Sequence, residues 1–518
     1  MNRDQSLQAL AQREPWDVLV IGGGASGLGA AVDAAARGYR TLLLEQHDFA
    51  KGTSSRSTKL IHGGVRYLKQ GNVSLVLESL RERGRLLRNA PHLVHAFPFI
   101  VPAHQAWEKL YYGIGLKAYD WLSGRWSLGP SQIISRAEML EHLPTIAPEL
   151  RGGVRYFDGQ FDDSRLAICL AQTLCDLGGT ALNYTRVTRF VKDNDRITGV
   201  VAHELESGAE FELGARVVIN ATGVFTDAVR RLDDPATVTL VTASQGAHIV
   251  VERSFLPGDS ALMVPKTTDG RVLFAIPWHE HVVIGTTDSA AKDLSLEPRP
   301  LADEIEFLIE NASRYLARAP GRSDILSAFA GLRPLVKSSA QSTAKLSRDH
   351  TIEISRSSLV TLTGGKWTTY RKMGEDVVDH AAKIGGLEPR PSRTAERSLH
   401  GAVQMKAATA PAHWRVYGSD SEQLLQWTKM NHDWNATLHP RLPYLAVEVV
   451  WAVRQEMART IEDVLARRTR ALFLDARASI EMAHHVAAIL RAELNRDAGW
   501  EREQIASFTQ LARGYAPG

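Results

Sequence analysis

Apolar and polar positions divide the chain into two unlike parts. Residues 16–24 (WDVLVIGGG) form a continuous apolar run ending in glycines, residues 25–38 are small and suit a helix, and residues 41–45 (TLLLE) form a second apolar run. A buried strand, a helix and a second strand within about thirty residues make a β-α-β unit, the building block of a parallel sheet. Helical periodicity returns at 74–88 and 163–177, where Asp162 or Asp163 is placed to cap the helix. Residues 91–102 break the pattern with prolines, and an aromatic segment follows at 107–126. Further strand-like runs stand at 216–220, 247–251, 271–276, 281–285 and 359–363. Two kinds of sheet-forming segment thus alternate over the first 385 or so residues, which predicts two interleaved domains. From about Pro389 the character changes to helical stretches such as 446–470 and 478–496.

Composition narrows the class. With 518 residues, 44% of them hydrophobic and 23% charged, the chain is globular and long enough for several domains. Its 61 basic and 58 acidic residues leave a net charge of only +3, with no long Lys/Arg run, so nucleic-acid binding is not expected. Cys169 and Cys175 have no metal-pair spacing and cannot staple a chain of this size, which points to a reducing compartment. The first residues, MNRDQSLQALAQREPWD, resemble neither a secretory signal nor a transit peptide. No stretch combines the length and apolar density needed to span a bilayer, so any membrane contact is expected to be peripheral.

The chemistry begins at Gly22-x-Gly24-x-x-Gly27, between a strand and a helix. Gly22 permits a tight turn, Gly24 lets backbone approach a pyrophosphate, and Gly27 lets helix and strand pack closely. The positive end of the helix dipole then faces the phosphates. Glu45 follows Gly24 by about 20 residues, at the end of the second strand, where a carboxylate accepts from ribose hydroxyls. That acid disfavours a 2′-phosphate, leaving FAD or NAD. Two more strand-to-glycine turns, at Ala221-Thr222-Gly223 and Gly364-Gly365-Lys366-Trp367-Thr368, suit a long cofactor clasped at several points and favour FAD.

Several strings carry a more specific signal. They are VIGGGASGLGAAVDAAARG, LLLEQHDFAKGTSSRSTKLIHGGVRYL, NATGVFTD, QGAHIVV, IPWHEHVVIGTTD, AGLRPL, LSRDH and GGKWTTYRKMGE, with the helical RLPYLAVEVVWAVRQEMARTIEDVLARRTRALFLDA. In these the chain resembles the FAD-dependent, quinone-linked sn-glycerol-3-phosphate dehydrogenases over nearly its whole length. The resemblance implies an α/β fold: a glutathione-reductase-like FAD-binding domain (1–90, 155–235 and 340–388), interleaved with an antiparallel-sheet substrate domain (91–154 and 236–339). An α-helical C-terminal domain (389–518) completes it. It further implies noncovalent FAD, hydride transfer from C2 of glycerol 3-phosphate to flavin N5, ubiquinone as acceptor, a homodimer, and peripheral attachment to the inner face of the cytoplasmic membrane.

A phosphate dianion calls for forked cationic donors. Arg66, Arg333, Arg348 and Lys366 stand in the matching strings, and Tyr67 offers a polar contact beside Arg66. The hydroxyl proton needs an acceptor or a strong electrostatic stabiliser. His62 and His248 are the candidate bases; Arg333 and Lys366, which stay protonated, are suited to stabilise an alkoxide. The hydroxyl-rich Thr53, Ser54 and Ser55 are expected to bond the flavin or its phosphates, whereas Thr58 stands where the family often has serine. His279 and His281 flank Glu280 in what reads as a hairpin, so no metal site is expected. Trp107 to Trp126 either fills a core or dips into a lipid interface. Two alternatives share the same site: an oxygen-dependent glycerol-3-phosphate oxidase, and a non-catalytic flavin-binding redox sensor.

Overall fold

A computed structural model describes residues 1–12, 14–64, 72–291, 293–336, 350–403 and 411–517. The fold is a mixed α/β FAD-binding fold with a helical C-terminal region. Trp16–Ile21 lies at the middle of the first sheet, parallel to Thr41–Leu44 on one side and to Glu210–Asn220 on the other. Val360–Gly364 and Thr180–Leu182 extend the parallel array outward. All six residues of the central strand except Asp17 are buried, as a strand covered on both faces must be. The helix Ala25–Ala36 packs between the helices Asp163–Asp176 and Tyr370–Ile384, and Ala, Val and Leu from all three close the core on that face.

The second sheet is longer and mostly antiparallel. Val241–Glu252 pairs with Ser327–Val336 over ten residues and with His281–Gly285 on its other edge. Leu273–Trp278, Ala261–Val264, Val94–Pro102 and Gly153–Phe161 continue it. Residues 91–102, expected to interrupt the pattern, therefore hold a nine-residue strand. Pro98 lies opposite Phe157 and one residue outside the Phe99–Ile100 stretch that pairs with Ala261–Leu262, a register that tolerates its missing N–H. Gly153–Phe161 runs across the expected boundary at 154/155, and Leu60–Ile61 joins its far edge. Both therefore belong to this second sheet.

The C-terminal helices Ala446–Glu456, Ala476–Glu493 and Ala498–Arg513 pack on that sheet through Val250, Trp278, Val283 and Phe329. The single helix expected over 446–470 is in fact broken. Met457 adopts a left-handed conformation (φ 55°). The chain then restarts with the Asp463 carboxylate accepting the amides of Arg459 and Thr460, at 2.8 and 3.1 Å. The residues that follow form a π-helical turn, Asp463–Arg468. It delivers Arg467 and Arg468 to the buried Asp48, between Thr41–Leu44 and the site described below. Periodicity does not foresee such a turn, because its purpose is to aim charges across a domain contact.

Candidate functional site

The carboxyl ends of the parallel strands open onto a cavity of about 780 Å³ that continues beneath the second sheet. Gly22, with φ 111°, begins its floor; a Cβ there would lie 2.7 Å from the carbonyl oxygen of Ala221. Gly27 does not line the cavity but packs against the turn, where a Cβ would meet the Gly22 carbonyl oxygen at 1.9 Å. Gly24 caps the helix Ala25–Ala36 without a side chain. The carboxylate of Glu45 accepts the amides of Gly23 (2.7 Å) and His47 (2.9 Å). Burial pushes this carboxyl up, against the pull of those two amides. Each carboxylate oxygen keeps a second acceptor position for a ribose hydroxyl.

The loop 52–59 forms the middle of the wall. Ser54 Oγ accepts the amide of Ala25 (2.9 Å), and the Ser54 carbonyl accepts Trp367 Nε1 (2.9 Å). Thr53 Oγ1 donates to the Leu332 carbonyl (2.6 Å). Of the three expected hydroxyls only Thr53 and Ser54 line the cavity; Ser55 is buried behind it. Ala221, Gly223, Gly364, Gly365 and Thr368 also line the cavity. Gly364 and Gly365 both have φ 79°, a conformation that costs a residue with Cβ dearly. Their turn leads into Trp367–Thr369 and the helix Tyr370–Ile384.

Beneath the second sheet stand His62, His248, Arg333 and Lys366. His248 is fully buried, stacked on Phe329 (ring centroids 4.8 Å apart, planes at 12°), and its Nε2 is 3.0 Å from Thr58 Oγ1. Burial, then the charges of Lys59 and Arg333, hold its pKa well below the ordinary histidine value, so the imidazole is neutral at pH 7. Arg333 is oriented by Thr286 Oγ1 (3.0 Å), the Thr287 carbonyl (3.1 Å) and Asp288 (3.3 Å). Lys366 Nζ donates to Ser79 Oγ (2.9 Å), and Thr368 Oγ1 to the His62 carbonyl (3.4 Å). Arg66, Tyr67 and Arg348 lie outside the described residues. Thr286 and Asp288, which orient Arg333, and Arg56, which lines the cavity while paired to Glu297 (2.7 Å), are not among the residues expected from the sequence. Nor are Arg186 and Thr188, which line the same cavity. Only the strings TTD and SSRSTKL held a signal for the first three.

Comparison with known proteins agrees with this geometry. The family described as FAD dependent oxidoreductase matches residues 17–371, and the C-terminal domain of alpha-glycerophosphate oxidase matches 356–504. The mitochondrial glycerol-3-phosphate dehydrogenase of Rattus norvegicus is 37% identical over 98% of this chain and 75% of its own. The chain belongs to the FAD-dependent glycerol-3-phosphate dehydrogenase family. Another member, the mitochondrial glycerol-3-phosphate dehydrogenase of Arabidopsis thaliana, is 39% identical over 97% of this chain and 87% of its own. Among solved structures, the glycerol-3-phosphate dehydrogenase of Bacillus halodurans complexed with FAD superposes with a TM-score of 0.81 at 28% identity, over 99% of this chain and 97% of that one. The glycine turn, the Glu45 carboxylate and the 52–59 loop share one cavity, an arrangement with the donors and acceptors that a dinucleotide such as FAD requires.

Proposed function

We propose that the protein oxidises sn-glycerol 3-phosphate to dihydroxyacetone phosphate. One observation carries the proposal: Arg333, Lys366 and a neutral His248 line the same cavity as the glycine cradle and Glu45. The chemistry supplied by bound FAD is acceptance at N5 of the hydride from C2, with ubiquinone as the onward acceptor. Arg333, held from behind by Thr286 and Asp288, offers a fixed fork to the phosphate or to the developing alkoxide. Lys366 adds a second cation. His248 Nε2 takes the hydroxyl proton. An incoming phosphate dianion offsets the nearby Lys59 and Arg333 charges, and so raises the basicity of the imidazole when it is needed.

Peripheral contact with lipid belongs to the same proposal. Among the described residues no helix is long and apolar enough to cross a membrane. The helix Ala106–Ser123, however, turns Trp107, Leu110, Tyr111, Ile114 and Trp121 to solvent. At 100° per residue all five fall on one stripe. Trp107 is 66% exposed, Ile114 65% and Trp121 82%, while Leu116 and Tyr119 are buried. Such a stripe of Trp, Tyr and aliphatic residues suits the bilayer interface. Under this proposal it rests on the inner face of the cytoplasmic membrane, where ubiquinone is reached.

The test is anaerobic. Glycerol 3-phosphate added to the FAD-loaded protein is expected to bleach the visible flavin band, and a soluble quinone to restore it, with air restoring it only slowly. Immediate recovery in air would instead identify an oxidase. A band that the substrate leaves untouched would remove the proposal.

A further inference from the structure

Behind His248 lies a buried cation that does not itself line the cavity. Lys59 is wholly inaccessible, and its backbone is held at φ 63°, a conformation a residue with Cβ keeps only where its surroundings impose it. Its Nζ donates to the Ser55 carbonyl (2.8 Å) and to Asp163 Oδ2 (2.7 Å). The same Asp163 oxygen accepts the amide and hydroxyl of Ser57, at 2.9 and 2.7 Å. The ammonium lies 5.2 Å from the ring centroid of Trp278, and 5.3 Å from those of Phe329 and Phe473. Phe329 is also the ring on which His248 stacks. Lys59 therefore meets the imidazole by two routes: through the shared Phe329 ring, and through its neighbour Thr58, whose hydroxyl bonds Nε2.

We propose that Lys59 is a positioning residue that sets the orientation and charge state of His248. This rests on the proposed function only in giving His248 a proton to accept. The charges facing His248 are Lys59, from the loop 52–59, and Arg333, from Ser327–Val336; those facing Lys59 are Asp162, Asp163 and Arg470. Arg470, in the left-handed region at φ 68°, reaches from the C-terminal helices to the Ser55 carbonyl (2.9 Å) and Asp163 Oδ1 (3.0 Å). The helical region thus clamps the back of a loop whose front face holds both the Ala25 amide and the catalytic imidazole. Burial brings the Lys59 ammonium down to about 7, although Asp163 works against it. The cation beside His248 is consequently one that titrates near neutrality.

The experiment follows His248 directly. In FAD-bound protein carrying ¹³C-labelled histidine, its resonance is assigned by loss in His248→Asn and followed through a pH titration. In the wild type the imidazole is expected to stay neutral over roughly pH 6 to 8. Lys59→Met removes the like charge and is expected to raise its titration midpoint by roughly one unit. The acid limb of kcat/KM should move by the same amount, and Lys59→Arg should restore both. Thr58→Val, which leaves the buried charges in place, should shift the same resonance and serves if Lys59→Met does not fold. An unchanged His248 titration in folded, FAD-bound Lys59→Met, or an unmoved resonance in Thr58→Val, overturns the proposal. Because the titration needs no turnover, a wild type that ignores glycerol 3-phosphate, together with a His248 midpoint that still moves in Lys59→Met, would count against the function and not against Lys59.

Discussion

The Gly23 amide donates to the Glu45 carboxylate across 2.7 Å, joining the glycine turn to the end of the neighbouring strand. A single acid thus shapes the loop by accepting the amides of both Gly23 and His47. Gly23 and His47 bond different oxygens of Glu45, so Gln keeps an acceptor for one amide and sets its NH₂ against the other. Glu45→Gln is expected to weaken FAD binding by roughly 10- to 100-fold, the worth of a charged hydrogen bond. Titrating apo-protein with FAD and following flavin fluorescence checks this.

Gly27 and Gly115 should respond oppositely to the same substitution. A Cβ at Gly27 would meet the Gly22 carbonyl oxygen at 1.9 Å, whereas at Gly115, in the exposed helix Ala106–Ser123, nothing lies within 4 Å. Gly27→Ala is expected to cost about 1–3 kcal/mol and most of the bound FAD. Gly115→Ala is expected to be neutral or to add up to about 1 kcal/mol through helix propensity. Thermal melts and the flavin-to-protein absorbance ratio separate the two.

Arg333 is presented by Thr286 and Asp288 as a planar fork, which a lysine cannot imitate. Arg333→Lys should lower kcat/KM for glycerol 3-phosphate by roughly 100-fold and leave FAD content intact. Steady-state kinetics with a soluble quinone provide the check.

His400 binds Asp176 (2.7 Å) and Asp420 (2.9 Å), tying the helix Asp163–Asp176 to the C-terminal region. Burial opposes its charge, but the two carboxylates outweigh burial and bring it up to about 9. A raised folded-state value means that the protonated form stabilises the fold. That contribution is complete below the ordinary histidine value of about 6.5 and fades as pH rises through about 9. The Tm difference between wild type and His400→Gln should therefore shrink over that window. A gap that widens with pH would contradict the assignment.

The stripe on Ala106–Ser123 should govern lipid binding without touching the site. Trp107→Ser combined with Trp121→Ser is expected to abolish most co-flotation with anionic liposomes while FAD content stays unchanged. Equal flotation of variant and parent would assign those side chains another role.

Much of this protein is written locally. The strand-glycine-helix-strand order from Trp16 to Glu45, the Asp162 cap on Asp163–Asp176 and the turns at Gly223 and Gly364 are all short-range. Burial periodicity and backbone conformation reveal such features to anyone reading the chain in order. The family-specific strings likewise marked Arg333, Lys366 and His248, all of which line one cavity. What the order of residues could not disclose are relations between distant segments. Thr58 meets His248 across 190 positions, and Asp48 meets Arg468 across 420. The strand Gly153–Phe161 joins the second sheet, not the first, because its partner Val94–Pro102 lies there. The π-helical turn Asp463–Arg468 spoils a helix that local preference alone would have continued. The physical reason is the same in each case. Propensity and amphipathic pattern report only the burial of a segment's own faces. Which buried charge answers which is decided when the packed domains close around it, because an unpaired charge in the interior costs more than a strained turn.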